Sequence, residues 1–131
     1  MYCTEMKLLL VEDSKLLREA ISEMLSEYDN ILVEDVATTR NEAINLLDKK
    51  QYDLIIADIE LAEGNGFDVV KHTLQNSYHF KPPTVVMLTN HGNNYYRNLA
   101  KVLNIKYFYD KSLDFEAAIQ TIVDESLNPT T

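Results

Sequence analysis

Five side chains of this sequence, Glu12, Asp13, Asp58, Thr89 and Lys111, have the types needed to act together on a phosphoryl group. The first four each lie at the carboxyl end of an apolar run of strand length, and Lys111 lies just past a fifth, shorter run. Three carboxylates in one cleft repel one another, so one of them protonates or a cation fills the gap. An all-oxygen site only partly supplied by protein suits Mg²⁺, which keeps room for water and a phosphate oxygen. A carboxylate nucleophile attacking phosphorus needs the incoming negative charge neutralised. A metal does part of that, and a lysine and a hydroxyl can hold the remaining oxygens. No histidine base, glycine-rich phosphate loop or zinc-ligand spacing accompanies the set. Taken singly, each residue reads as an ordinary solvated loop residue, a helix cap (Thr89) or a surface lysine (Lys111); the shared position at strand ends is what singles them out.

The elements that must position them alternate strictly. Lys7–Val11 is a continuous apolar run stopped by Glu12-Asp13. Ser14 then caps a helix with Leu16, Leu17, Ile21, Met24, Leu25 and Tyr28 at helical spacing. A more polar strand, Ile31–Val36, suits a sheet edge. Thr39-Arg40-Asn41-Glu42 has the pattern of a capping box and opens a helix with Ile44 and Leu47 facing inward. Asp53–Ala57 is a third strand ending at Asp58, and Glu63-Gly64-Asn65-Gly66 is a turn before a helix through Val69, Val70, Thr73 and Leu74. Pro82-Pro83 precedes the strand Thr84–Leu88; Asn93-Asn94 opens a helix with Tyr96, Leu99, Ala100 and Leu103. Lys106–Tyr109 is a short fifth strand, and Phe115, Ala118, Ile119, Ile122 and Val123 form the stripe of a last helix. Five strand–helix units predict an α/β fold with a five-stranded parallel sheet, flavodoxin-like order 2-1-3-4-5 and helices on both faces. In such sheets ligands bind beyond the carboxyl ends of the strands, where the strand order reverses.

At 131 residues the chain reads as one domain over 5–127, with a short tail at 128–131. The polarity of that tail suggests a complete, stand-alone protein. No apolar run approaches the ~20 residues of a membrane span, and the N-terminus is too polar for a signal peptide. The lone cysteine, Cys3, fits a reducing cytoplasm. A net charge of −9 argues against nucleic acid or an anionic membrane as a direct partner.

The chain resembles the receiver domain of two-component response regulators, in the stand-alone form typified by a chemotaxis regulator. The resemblance rests on Leu9-Leu10-Val11-Glu12-Asp13-Ser14, on Asp53–Ile59 with Gly66, on Thr89, and on Tyr107-Phe108-Tyr109-Asp110-Lys111-Ser112. It implies that Asp58 is phosphorylated by a histidine kinase or phosphotransfer protein, and that Glu12, Asp13 and Asp58 hold Mg²⁺ with the Glu60 backbone carbonyl. It further implies that Thr89 closes on the phosphoryl group, Lys111 pairs with it, and Phe108 is the switch aromatic. The output would be contact with a downstream protein, without enzymatic turnover beyond slow self-catalysed phosphorylation and dephosphorylation.

Ser112, Ala62 and Asn90 depart from the family's usual proline, proline and small residue. With serine after Lys111, a cis bond there is not assured. Glu60 and His91 fall at variable positions over the phosphoryl site and would tune dephosphorylation. Two other readings compete: a phosphohydrolase of haloacid-dehalogenase type, which wants a second aspartate where Glu60 stands, and a receiver-like interaction module that is not phosphorylated. Tyr95, Tyr96, Tyr107 and Tyr109, half of the eight tyrosines, cluster beside Phe108 either as core-edge filling or as an aromatic output face.

Overall fold

The computed structural model describes residues 5–90 and 94–127. Cys3, His91, Asn93 and the tail 128–131 therefore lie outside the described residues. Ten elements alternate along the chain: β1 (Met6–Val11), α1 (Lys15–Leu25), β2 (Ile31–Ala37), α2 (Arg40–Lys49), β3 (Leu54–Asp58), α3 (Gly66–Thr73), β4 (Thr84–Thr89), α4 (Asn94–Val102), β5 (Tyr107–Asp110) and α5 (Phe115–Leu127). The strands form one parallel sheet in the order β2-β1-β3-β4-β5, the flavodoxin-like arrangement expected.

Right-handed crossovers dictate where the helices go. The step from β1 out to β2 puts α1 on one face. The steps from β2 to β5 run the other way and put α2, α3 and α4 on the opposite face. Strand alternation then divides the core. Leu8 and Leu10 of β1, with Leu54, Ile56, Val86 and Leu88, pack on Ile21, Leu25, Ala118 and Ile122 of α1 and α5. Leu9 and Val11, with Ile55, Ala57 and Met87, pack on Ala43, Leu47, Val69 and Ala100 of α2, α3 and α4. Buried on both sides, β1 carries no polar residue after Lys7 and β3 none before Asp58.

Local sequence sets the helix ends. Ser14, Thr39 and Asn65 each accept a hydrogen bond from a first-turn N–H, those of Leu17, Glu42 and Asp68. Glu42 reaches back to the N–H and hydroxyl of Thr38, at 2.7 and 2.8 Å. Helix α4 ends in a left-handed residue, Asn104 (φ 59°), with Ile105 N–H bonded to the Ala100 carbonyl and Asn104 N–H to that of Lys101.

Several apolar positions differ from expectation. Leu16 is 81% exposed, because α1 presents only the side bearing Ile21 and Leu25 to the sheet. On α2 the buried pair is Ala43 and Leu47, with Ile44 half-buried. Leu74 caps α3 and is exposed, and Tyr28 lies beyond the end of α1. The four tyrosines form no single face. Tyr107 and Tyr109 turn toward α5, donating to Glu125 at 2.8 Å and pairing with Thr121 at 2.5 Å, whereas Phe108 turns toward α4. Tyr96 packs on Phe67 of α3 at 5.8 Å.

Candidate functional site

The parallel register brings the strand ends together. Val11 lies opposite Ala57, Asp58 opposite Leu88 and Thr89 opposite Asp110. The residues that follow inherit that alignment. Glu12 N–H continues the ladder to the Ala37 carbonyl at 2.9 Å, and Lys111 N–H bonds the Thr89 carbonyl at 3.0 Å. Glu12, Asp13, Asp58, Thr89 and Lys111 thus stand at one end of the sheet, around the gap between β1 and β3 where strand order reverses.

Glu12 and Asp58 are buried, 2% and 6% exposed, and Thr89 is fully buried, while Asp13 is exposed. One carboxylate oxygen from each of Glu12, Asp13 and Asp58 lies within 4.8 Å of the others. Between the two buried acids lies the Lys111 ammonium, with Nζ 2.8 Å from Asp58 Oδ2 and 2.9 Å from Glu12 Oε1. Burial raises the pKa of both carboxyls above their ordinary range; the Lys111 hydrogen bond opposes this but does not overcome it. Burial works against the charged form of Lys111 too, yet its bonds to Asp58 and Glu12 leave its pKa raised. The remaining Glu12 oxygen accepts from Ser14 N–H at 3.0 Å, and Arg18 Nη1 holds the Glu12 carbonyl at 3.1 Å.

The loop after β3 is shaped by close approach. A Cβ on Gly66 would stand 2.1 Å from the Asp58 carbonyl oxygen, so only glycine lets α3 start against the end of β3. Gly66 N–H bonds the Ile59 carbonyl at 2.9 Å, and Glu60 pairs with Asn65 across the loop. Ile59 and Glu60 N–H groups point at the Asp58 carboxylate. The Glu60 side chain is exposed. Across the site, Asp110 Oδ1 accepts from Ser112 and Leu113 N–H at 2.7 and 3.0 Å, folding the turn that carries Lys111. No cis peptide bond occurs among the described residues, Lys111–Ser112 included.

Sequence reasoning missed three supporting residues. Arg18 and Arg97 give no local signal, because each acts through a contact made only in the folded chain. Asp110, set two residues before Ser112, had the spacing of an aspartate-capped turn and was legible. Phe108 is partly buried between β5 and α4, with Arg97 Cζ 5.1 Å from its ring centroid.

The donor set fits a hard divalent cation: three carboxylates face one ammonium, all donors are oxygens, and Asp13 leaves the cluster open to solvent. Burying such charge is unfavourable, and that burial holds the pKa of both Glu12 and Asp58 above the ordinary carboxylate range.

Comparison with known proteins agrees with this geometry. Residues 8–123 match the family model of the response regulator receiver domain. Among curated proteins, a protein-glutamate methylesterase/protein-glutamine glutaminase of Methanococcus maripaludis is 30% identical over 86 residues, 66% of this chain and 22% of that protein. One from Clostridium acetobutylicum is 36% identical over 67 residues, 51% of this chain and 19% of that protein. The chain thus spans about a fifth of the length of these relatives. The non-phosphorylated HemR receiver domain of Leptospira biflexa superposes with a TM-score of 0.80 at 28% identity, covering 97% of this chain and 98% of that one. The response regulator domain of Thermotoga maritima CheB, at 20% identity and a TM-score of 0.77 over 95% of each chain, shares the fold. With its strand order, its acidic cleft and a family match over nearly its whole length, the chain belongs to the response regulator receiver domain family.

Proposed function

We propose that Asp58 is the phosphoacceptor of this receiver domain, taking its phosphoryl group from a phosphohistidine of a histidine kinase or phosphotransfer protein. The observation that carries this assignment is the Lys111 ammonium held 2.8 Å from the buried Asp58 carboxylate and 2.9 Å from Glu12. In the step, an Asp58 carboxylate oxygen attacks phosphorus, the phosphorus–nitrogen bond to the donor imidazole breaks, and the imidazole leaves with the bonding pair. Mg²⁺, held by Glu12, Asp13, Asp58 and the Glu60 carbonyl, would offset the charge of the phosphoryl oxygens. Lys111 exchanges its carboxylate contact for a phosphoryl oxygen. Thr89, at the end of β4 with its side chain buried on this side of the sheet, supplies a hydroxyl to another. Phe108, on the same side of the sheet one strand over, turns when Thr89 moves.

The chain acts as a signalling module rather than an enzyme. It matches only about a fifth of the length of the methylesterases it resembles, so their activity is not part of this reading. The dehalogenase-type alternative is disfavoured by Glu60 in place of a second aspartate. We take residues 5–127 as the receiver domain, with a downstream protein as the recipient of its signal in the cytoplasm. No nucleic acid or membrane is proposed as a direct partner; among the described residues no helix is long and apolar enough to cross a membrane.

The test is incubation with acetyl phosphate and Mg²⁺. An acid-stable, alkali-labile adduct on Asp58 is expected, absent in a folded Asp58→Asn variant. Label on His91, or persisting in Asp58→Asn, overturns the assignment.

A further inference from the structure

Strand β5 is held differently on its two faces. Toward α5, Tyr107 and Tyr109 are fixed by their hydroxyls, to Glu125 at 2.8 Å and to Thr121 at 2.5 Å. Directed bonds of this kind pin the strand and leave those rings little freedom. Toward α4, Phe108 has no hydroxyl to bond. Its ring packs on the core shared with Leu99 and Leu103, and the Arg97 guanidinium lies over it, 5.1 Å from the centroid. Arg97 belongs to α4 and Phe108 to β5, so this contact ties two separate elements. Asp110, next along β5 on the same face, also feels the Arg97 charge, and its carboxylate folds the turn bearing Lys111.

We infer that Arg97 is a positioning residue for the Phe108 switch, holding the ring in its unphosphorylated place and so opposing the conformational response to phosphorylation. The inference rests on the phosphoacceptor reading above and adds a residue that the reading does not use. A ring that swings away from the guanidinium forfeits the cation–π contact. For a partly exposed pair this is worth about two- to fivefold in the equilibrium between the two ring positions. Because binding at Asp58 and ring position are linked, the same factor must appear in the affinity for a phosphoryl mimic.

The experiment is a beryllofluoride titration of the full chain at saturating Mg²⁺, read by NMR at amides near Asp58 and at the Phe108 ring, with melting temperatures in parallel. Arg97→Gln is expected to raise apparent affinity about two- to fivefold, and Arg97→Lys, which keeps the charge, by less. In a Phe108→Leu background, which removes the ring, Arg97→Gln should change nothing. An unchanged or weakened affinity in Arg97→Gln overturns the inference. So does an equal gain with and without the ring, or a shift in melting temperature alone. Wild-type protein that fails to bind beryllofluoride would instead overturn the phosphoacceptor reading itself.

Discussion

Replacing Gly66 by alanine probes how the fold aims Asp58. The added Cβ would lie 2.1 Å from the Asp58 carbonyl oxygen, 3.0 Å from its carbon and 3.4 Å from Ile59 Cα. Carbon–oxygen contacts normally begin near ~3.3 Å, so the start of α3 must withdraw by roughly 1 Å. All three atoms are backbone, so no rotamer change relieves the overlap. Withdrawal strains the bond from Gly66 N–H to the Ile59 carbonyl and loosens Phe67, Val69 and Val70, which are buried. Overpacking costs about 1–3 kcal/mol and the hydrogen bond about 1. Alanine's better helix propensity returns up to ~1 kcal/mol. The net loss is about 1–3 kcal/mol, or ~3–9 °C in melting temperature for a chain of this size. Circular dichroism measures the melt, and acetyl phosphate labelling below the transition measures the site. Labelling should slow, since Ile59 and Glu60, whose N–H groups orient Asp58, move with the loop. A Gly66→Ala variant that melts within 1–2 °C of wild type and labels at the same rate would refute the reasoning.

Asp13→Ala should abolish most of the thermal stabilisation by millimolar Mg²⁺, a mass-action effect measured by paired melts with and without metal. In metal-free buffer, the stability contributed by Glu12 and Asp58 should fall as pH rises above about 4. Glu12 and Asp58 have folded pKa values raised above 4.5 and 3.8, so over that window the folded state binds more protons than the unfolded chain. Denaturant unfolding across pH checks this, and Mg²⁺ should flatten the slope by competing with the protons. Tyr109→Phe removes the hydroxyl paired with Thr121 and should cost about 1 kcal/mol, while leaving Asp58 labelling unchanged.

Much of the fold follows from one-dimensional pattern. Continuous apolar runs such as Leu8–Val11 and Leu54–Ala57 can only be strands buried on both faces, and their alternation with amphipathic stretches demands a parallel sheet. Chain direction then sends every strand's carboxyl end to one side. Glu12, Asp13, Asp58, Thr89 and Lys111 had to share that side before any coordinate was known. The polar strand β2 was readable as an edge for the same reason, since a strand with mixed faces cannot sit between two others.

Tertiary structure decided what periodicity leaves open, namely which neighbour each face meets. Leu16 and Ile21 have equal claim to the core on spacing, but only one side of α1 meets the sheet. The tyrosines of β5 were legible as a cluster, yet strand alternation sends Tyr107 and Tyr109 to α5 and Phe108 to α4. Gly66 read as a turn residue and a mark of the family resemblance, whereas its physical reason is the Asp58 carbonyl oxygen 2.1 Å from where a side chain would begin. Arg97 over Phe108 and Lys111 between Glu12 and Asp58 are contacts across elements that only packing creates. A sequence records what each residue can do and which way its element faces. The distances that turn three acids and a lysine into a site arise only when the strands are set side by side.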